Sequence, residues 1–466
     1  MLGRLRHPLV AVIGAFALTV PWVVTYATDS AHSLGHLATV AVSGVAVLGA
    51  SFLLAWGAET AEKDVPRAFA LAVLAVLAVA PEYAVDALYA WKAGAGGATA
   101  QACAQFTEAQ LANAAPGTLA KACHDANLAV ANMTGANRIL IGLGWAGIAL
   151  FTIYRVGSRE DASVERREGA LADAVLLDRD LAVEITFLLA ATFVAFFVPL
   201  LGGIGVVDTV VLVGLYVVYI SIIINGPVEE HDEQVGVPAY FHGFPQYGRV
   251  AVSLGLFLYS GAMIYTAVHP FAEGLEGLGL QAGIPAFFMI QWIAPLASES
   301  PELIVVAYLV NKARSTAGFN ALISSKLNQW TLLIGTLAVV YSIAAGAVGT
   351  LPFDATQSAE IWITAAQSFF AIAVLVNFSI SGREAVVLLV LFASQVLVEF
   401  LMIQNVIAVA GVHKIDVLLA YTAVYLVLGV ALFVGRRTEV QWIFTRTYRT
   451  ARAAFVDGAP EPEFAD

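Results

Sequence analysis

Four carboxylates stand in stretches of this chain that are otherwise fit for hydrocarbon. The run Ile293 to Arg314 reads IAPLASESPELIVVAYLVNKAR and carries Ser298, Glu299, Ser300, Pro301 and Glu302 near its middle. A carboxylate in a bilayer costs at least ~2.5 kcal/mol even on the lenient insertion scale, so such a residue is a functional-site candidate by default. Pro301 removes a backbone donor and is predicted to break the helix beside it. A weaker copy lies upstream, from Leu77 to Gly94, LAVAPEYAVDALYAWKAG. Aligning Pro81-Glu82 with Pro301-Glu302 also pairs Val85 with Val305, Ala87 with Ala307, and Lys92-Ala93 with Lys312-Ala313. Asp86 follows Glu82 by one helical turn and shares its face. Carboxylates, hydroxyls and carbonyls freed by proline are the oxygen ligands that hard cations require. Two carboxyls brought together also favour holding a proton.

Each Pro-Glu stretch is followed by a second apolar run with polar residues near its start. One reads ANMTGANRILIGLGWAGI, the other ALISSKLNQWTLLIGTLAV. Placing Asn137 on Asn328 puts Gly144 on Gly335 and Thr134 on Ser325. Taken singly, such residues glue helices together. Recurring in both copies, they join the candidate ligand set. The candidates are Glu82, Glu302, Asn137, Asn328, Ser298, Ser325, Thr134, Glu299, Ser300, Asp86 and Ser324. Two cations fall among them, Arg138 and Lys326. A buried cation must be paired. The expected partners are Asp86 for Arg138 and Glu299 for Lys326. The alternative is that a basic side chain sits in a cation subsite.

The elements that must position these residues follow from composition. The chain has 466 residues, 59% hydrophobic and only 12% charged, with a mean hydropathy of +0.80. About 25% charged is usual for soluble domains. The fold class is an all-α polytopic membrane protein, because the apolar runs are too long and too continuous for barrel strands. Twelve spans are expected, at about 8–28, 36–57, 66–92, 126–154, 181–201, 204–225, 247–268, 281–311, 318–346, 359–379, 383–409 and 414–435. The first is read as a retained helix, since it lacks a small-residue cleavage site and a second span follows at once.

Basic residues test this count. With the N-terminus in the cytoplasm, 18 of the 23 Lys and Arg fall on that side, against Lys92, Lys121 and Lys414 outside and Arg138 and Lys326 within spans. One missed span would scramble the alternation. Both termini are therefore expected in the cytoplasm, and the plasma membrane is the expected location. The first Pro-Glu then lies in a span exiting outward and the second in a span exiting inward. That is the signature of inverted-topology repeats, with broken helices meeting at the midplane.

The paired Pro-Glu hairpins resemble the two alpha repeats of the sodium/calcium exchanger family, within the cation/calcium antiporter superfamily. There each repeat carries a Gly-Thr-Ser-x-Pro-Glu stretch and then Gly-Ser-Asn-x-x-Asn/Asp. The residues that carry the likeness are Leu77–Glu82 and Ala297–Glu302, then Thr134–Asn137 and Ser324–Asn328. It covers about 65–155 and 280–345. It implies a five-plus-five core, with halves 36–225 and 226–410, an added first helix within 1–35, and an added last helix and tail over 411–466. It also implies secondary antiport of Ca²⁺ and/or Na⁺ against Na⁺ or H⁺ by alternating access. The partners it implies are the lipid bilayer, inorganic cations and protons. This sequence departs from the pattern at Ala78, Val79, Glu299, Arg138 and Lys326. Fewer hydroxyls and more titratable groups favour proton coupling over a three-sodium stoichiometry.

The remaining features bound the function. No basic patch points to nucleic acid, no resident cofactor is expected, and no nucleotide-binding loop, HExxH or GxSxG motif is present. The chain reads as a transporter rather than an enzyme. The competing reading is an inverted-repeat channel or organic-solute transporter, where Arg138 and Lys326 would bind an anion. Cys103 and Cys123 share the loop at 95–125, on the side where disulfides form. A disulfide is expected there, with two free thiols as the alternative. The charged segment from Ser158 to Asp180 is helix-prone and reads as a solvated linker. Glu184 and Glu399 are isolated intramembrane acids, Asp208 is interfacial, and Glu59 and Glu273 border vestibules. His231, His242 and His269 are expected at solvated surface.

Overall fold

The computed structural model describes residues 7–30, 33–61, 63–64, 79–156, 163–225, 236–311, 313–407, 411 and 413–455. In chain order the helices are α1 Pro8–Ala27, α2 His36–Ala61, α3 Ala80–Ala95, α4 Ala100–Cys103, α5 Glu108–Ala112, α6 Leu119–Ile139 and α7 Ala146–Val156. Next come α8 Ala182–Ala195, α9 Val206–Asn225, α10 Val237–His242, α11 Gln246–Ala282, α12 Ala286–Asn311, α13 Ser315–Asn328 and α14 Ile334–Ala345. The last are α15 Ala355–Leu375, α16 Gly382–Ile403, α17 Lys414–Gly435 and α18 Arg437–Phe455. Five short strands lie between helices: β1 Val164–Glu165, β2 Ala174–Leu176, β3 Gly203–Ile204, β4 Leu351–Pro352 and β5 Ser379–Ser381.

Among the described residues, ten helical spans are long and apolar enough to cross a membrane, and eleven with α12, which is a span broken at Pro301. These match eleven of the twelve expected spans. The third, 66–92, falls largely outside the described residues, which take it up again in α3. Span four starts at Leu119, earlier than expected.

Two compact units divide the chain, 1–89 with 230–301, and 90–229 with 302–466. In the first, α2 packs along α11, with α1 and α10 against them. Val12, Ala15, Leu53, Val237, Phe241 and Leu256 form its core. Polar contacts fix the register: Thr19 with the Tyr259 hydroxyl at 2.5 Å, and the Trp22 indole donating to Thr266 at 3.1 Å. Arg249 grips Asp64 with two hydrogen bonds, 2.8 and 2.5 Å. That guanidinium holds the Asp64 carboxyl below the usual carboxylate range. His242, expected at solvated surface, is half-buried and lies 3.2 Å from the Glu59 carbonyl oxygen. His269 is exposed beside Glu273, and His231 lies outside the described residues.

The second unit carries a two-fold pattern in its contacts. Helix α9 packs on α14, and the corresponding α16 packs on α7. Helix α8 packs on α13, and its counterpart α15 on α6. Strand β2 pairs antiparallel with β5, and the counterparts β3 and β4 pair antiparallel too. Every pair maps onto another when the halves are exchanged. The sequence carries the same duplication: one constant shift takes Asp178 to Asp354, Glu184 to Glu360, Ile204 to Ile380 and Asp208 to Glu384. These are equivalent in role. Asp178 and Asp354 both cap helical turns. Asp208 accepts from the Gly205 N–H at 2.9 Å, and Glu384 from the Ser381 N–H at 2.8 Å. Asp208, near the start of its span as expected, is a buried cap.

The segment before α8 is not the expected helix. Residues 163–176 turn back as β1 and β2, because β5 offers β2 an open edge and Arg166 ties the turn to Asp173 at 2.7 Å. Cys103 and Cys123 form a disulfide, Cα atoms 5.6 Å apart, clamping α4 to α6. After α17 the chain continues as α18, which packs on α8 and α9. Arg436, at the junction, donates to the carbonyls of Ala373 and Val374 at 3.0 and 2.6 Å and pairs with Glu384. A cation is well placed there, at the carbonyl end of α15.

Candidate functional site

The first unit gathers the acids around the first Pro-Glu. Glu82 sits in the first turn of α3, at the positive end of the helix dipole. Its Oε2 accepts from the Ser298 hydroxyl at 2.8 Å. Glu82 shares a further hydrogen bond with Glu299, and the charge of Asp86 bears on it. Glu82, Asp86 and Glu299 are 2%, 0% and 3% exposed. A hydrogen bond between two carboxyls needs a proton on one of them. Ser298 also donates to the Pro295 carbonyl at 3.3 Å, so it is fixed by its own helix. Ser300 spends its hydroxyl on the Leu296 carbonyl of its own helix. Nearby, Tyr89 donates to Glu276 at 2.9 Å, a polar contact the sequence reading did not single out.

The second unit holds the other Pro-Glu and both second elements. Ser325 donates to Glu302 at 2.9 Å. Thr134 bonds back to the Val130 carbonyl at 2.8 Å, as helical threonines do. Asn137 donates its Nδ2 to the Met133 carbonyl at 2.8 Å, which leaves Oδ1 as its outward atom. That oxygen accepts from the Lys326 ammonium at 2.7 Å. Asn328 is buried, while Ser324 is half-buried beside the Tyr219 hydroxyl. Tyr219 in turn donates to Glu184 at 3.1 Å, so Glu184 is not isolated.

Both second elements depart from the α-helix at the same place. A π-helical segment follows Asn137 at Leu140–Trp145, and another follows Asn328 at Gln329–Leu333. Such segments concentrate at functional sites. Here each carries a fully buried tryptophan, Trp145 and Trp330. Gly142 lets α16 approach the first of these segments closely, because a Cβ there would fall 2.2 Å from the Phe392 ring.

Arg138 has partners that sequence reasoning did not find. Its guanidinium meets Glu360 at 2.5 Å and Gln395 at 3.2 Å. Gln395 donates to Glu399 at 3.2 Å, and Lys414 bridges Glu399 and Glu360 at 2.7 and 3.2 Å. Glu399 therefore belongs to a network of two cations and two anions. The available signal was the internal duplication: Glu360 is the shifted copy of Glu184, and Gln395 that of Tyr219.

Comparison with known proteins places the chain. No curated protein sequence matches it. The structure titled H⁺/Ca²⁺ exchanger CAX is 40% identical, with a TM-score of 0.78, over 95% of this chain and 98% of that one. The Ca²⁺/H⁺ antiporter protein YfkE shares the fold at 14% identity, with a TM-score of 0.55, over 82% of this chain and 98% of its own. The profile of the sodium/calcium exchanger protein family matches residues 114–225 and 252–401, more than half of the sequence. With both alpha-repeat elements present and that breadth of match, the chain belongs to the sodium/calcium exchanger family.

Proposed function

We propose that this protein is a secondary cation antiporter that exchanges Ca²⁺ for H⁺, with Glu82 and Glu302 as the carboxylates that alternate between proton and metal. The observation that carries this is the cluster of Glu82, Asp86 and Glu299. Three buried carboxyls lie together, and carboxyls gathered this closely away from water favour keeping a proton among them. Ca²⁺ wants six to eight oxygens, carboxylates among them. Ionising the Glu82–Glu299 pair to accept the metal releases that proton. Reprotonation withdraws the ligands, so the two cargoes exclude each other. Glu302, which accepts from Ser325 at 2.9 Å, is the corresponding carboxylate of the other repeat. The relative with 40% identity is titled an H⁺/Ca²⁺ exchanger, which supports the proton as the coupling ion.

In this reading the two halves, 36–225 and 226–410, alternate access across the plasma membrane. Both termini face the cytoplasm, supported by the 18-to-3 division of basic residues across the loops. The chemistry is transport, and the cations are cargo rather than resident cofactors.

The test is uptake of radioactive Ca²⁺ into proteoliposomes under an imposed pH gradient. The wild type is expected to accumulate Ca²⁺, and Glu82→Gln and Glu302→Gln are each expected to abolish uptake while staying monodisperse. Full flux in either folded variant overturns the assignment.

A further inference from the structure

Within the second unit, the second elements of the two repeats meet through a lysine. Lys326 is fully buried on α13, one residue after Ser325. Its ammonium donates to Asn137 Oδ1 at 2.7 Å and to the Asn137 carbonyl at 3.2 Å. It also stands 4.5 Å from the centroid of the Trp330 ring, within cation–π range. Asn137 cannot turn its amide to offer another oxygen, because its Nδ2 is bound to the Met133 carbonyl. Two oxygens of one residue and an aromatic face thus form a cradle for a monovalent cation, and a side-chain ammonium fills it.

We propose that Lys326 is a tethered monovalent cation, occupying the Asn137 oxygen position that a Na⁺ ion would otherwise take, and that it thereby makes this exchanger insensitive to sodium. An ammonium and a Na⁺ ion share the hard-oxygen preference and the charge, so one replaces the other at the same oxygens. They cannot share them. Two unit charges about 4 Å apart at an effective dielectric near 20 disfavour joint occupancy by roughly a thousandfold in affinity. Trp330 and the buried stem fix the lysine in place, so its site stays filled through the transport cycle. The π-helical segment at Gln329–Leu333 places Trp330 under the ammonium. Lys326 is thus a specificity-determining residue, and it deepens the proton-coupled reading on which it rests.

The substitution that tests this is Lys326→Met, which keeps the apolar stem and removes the charge. Lys326→Arg is its control, keeping the charge. The readouts are binding of radioactive Na⁺ to the purified full chain, and Ca²⁺ uptake in proteoliposomes with Na⁺ and pH gradients imposed separately. The wild type and Lys326→Arg are expected to bind no Na⁺ at this position and to ignore a Na⁺ gradient. Lys326→Met is expected to gain saturable Na⁺ binding and a Na⁺ effect on Ca²⁺ uptake, either stimulation or competition. A folded Lys326→Met indifferent to Na⁺ overturns the proposal, because a merely structural lysine would lower stability and leave sodium without effect. Sodium binding or sodium-driven uptake by the wild type overturns it too, and needs no variant to fold. The proton-coupled reading fails by a different result, the absence of uptake under a pH gradient in the wild type, and the Na⁺-binding measurement still decides the role of Lys326.

Discussion

Replacing Glu360 by Gln removes one charge from a buried network that is balanced at two cations and two anions. Arg138 is 1% exposed and Glu360 0% exposed, so neither can turn to water. Their contact is 2.5 Å, which puts the charge centres about 4 Å apart and makes the attraction worth about 4 kcal/mol at an effective dielectric near 20. Breaking a buried pair from one side typically costs ~3–5 kcal/mol, because the survivor keeps its desolvation penalty. The network adds a finer expectation. In Glu360→Gln, Arg138 loses the carboxylate in direct contact with it and keeps Gln395, with the charge of Glu399 beyond. In Arg138→Met, Glu360 still has Lys414 at 3.2 Å. Glu360→Gln is therefore expected to cost more than Arg138→Met. The double variant should cost less than the sum, since its second change removes a charge already orphaned. The assay is reversible unfolding in mixed detergent micelles, followed by tryptophan fluorescence. Single variants within about 0.5 kcal/mol of wild type, or strict additivity, would refute the reasoning.

Two further expectations concern packing and pH. Gly142→Ala should destabilise the fold by about 1–3 kcal/mol, because its Cβ would meet the Phe392 ring at 2.2 Å within a π-helical segment; circular dichroism melts of the purified variant measure it. Asp64 is held below the usual carboxylate range by Arg249, so its contribution to stability is full above an ordinary Asp value of about 4 and fades as pH falls through its depressed value. Asp64→Asn should then melt earlier than wild type at neutral pH and converge with it in acid. A gap that persists unchanged at low pH would remove the ion pair as the cause.

How much of this was legible in the sequence depends on what each residue's meaning rested on. Spans are local facts, since about twenty apolar residues announce a helix by length alone, and basic residues order the loops. Pro81-Glu82 and Pro301-Glu302 were legible because a carboxylate in hydrocarbon is costly wherever it sits. Partners were not legible, because they depend on packing between distant helices. Arg138 found Glu360, more than two hundred residues away, rather than an acid one helical turn from a known site. Asn137, chosen for its oxygen, has that oxygen turned to Lys326. The linker from Ser158 to Asp180 looked helical by composition, yet the edge offered by Ser379–Ser381 drew part of it into a strand. Tertiary context overrides propensity in short segments of this kind.

The internal duplication is the stronger guide, and its failures of symmetry carry the functional argument. Glu184 and Glu360 hold equivalent positions in the two halves. Glu184 meets the Tyr219 phenol, which has Ser324 beside it. Glu360 meets Gln395, Arg138 and Lys414. The second arrangement is a network of two cations and two anions. Lys414 belongs to α17, so that helix contributes a charge to the surroundings of Glu360. A scaffold duplicated in backbone thus surrounds two equivalent carboxylates with different side chains, because the partners come from helices whose sequences have diverged.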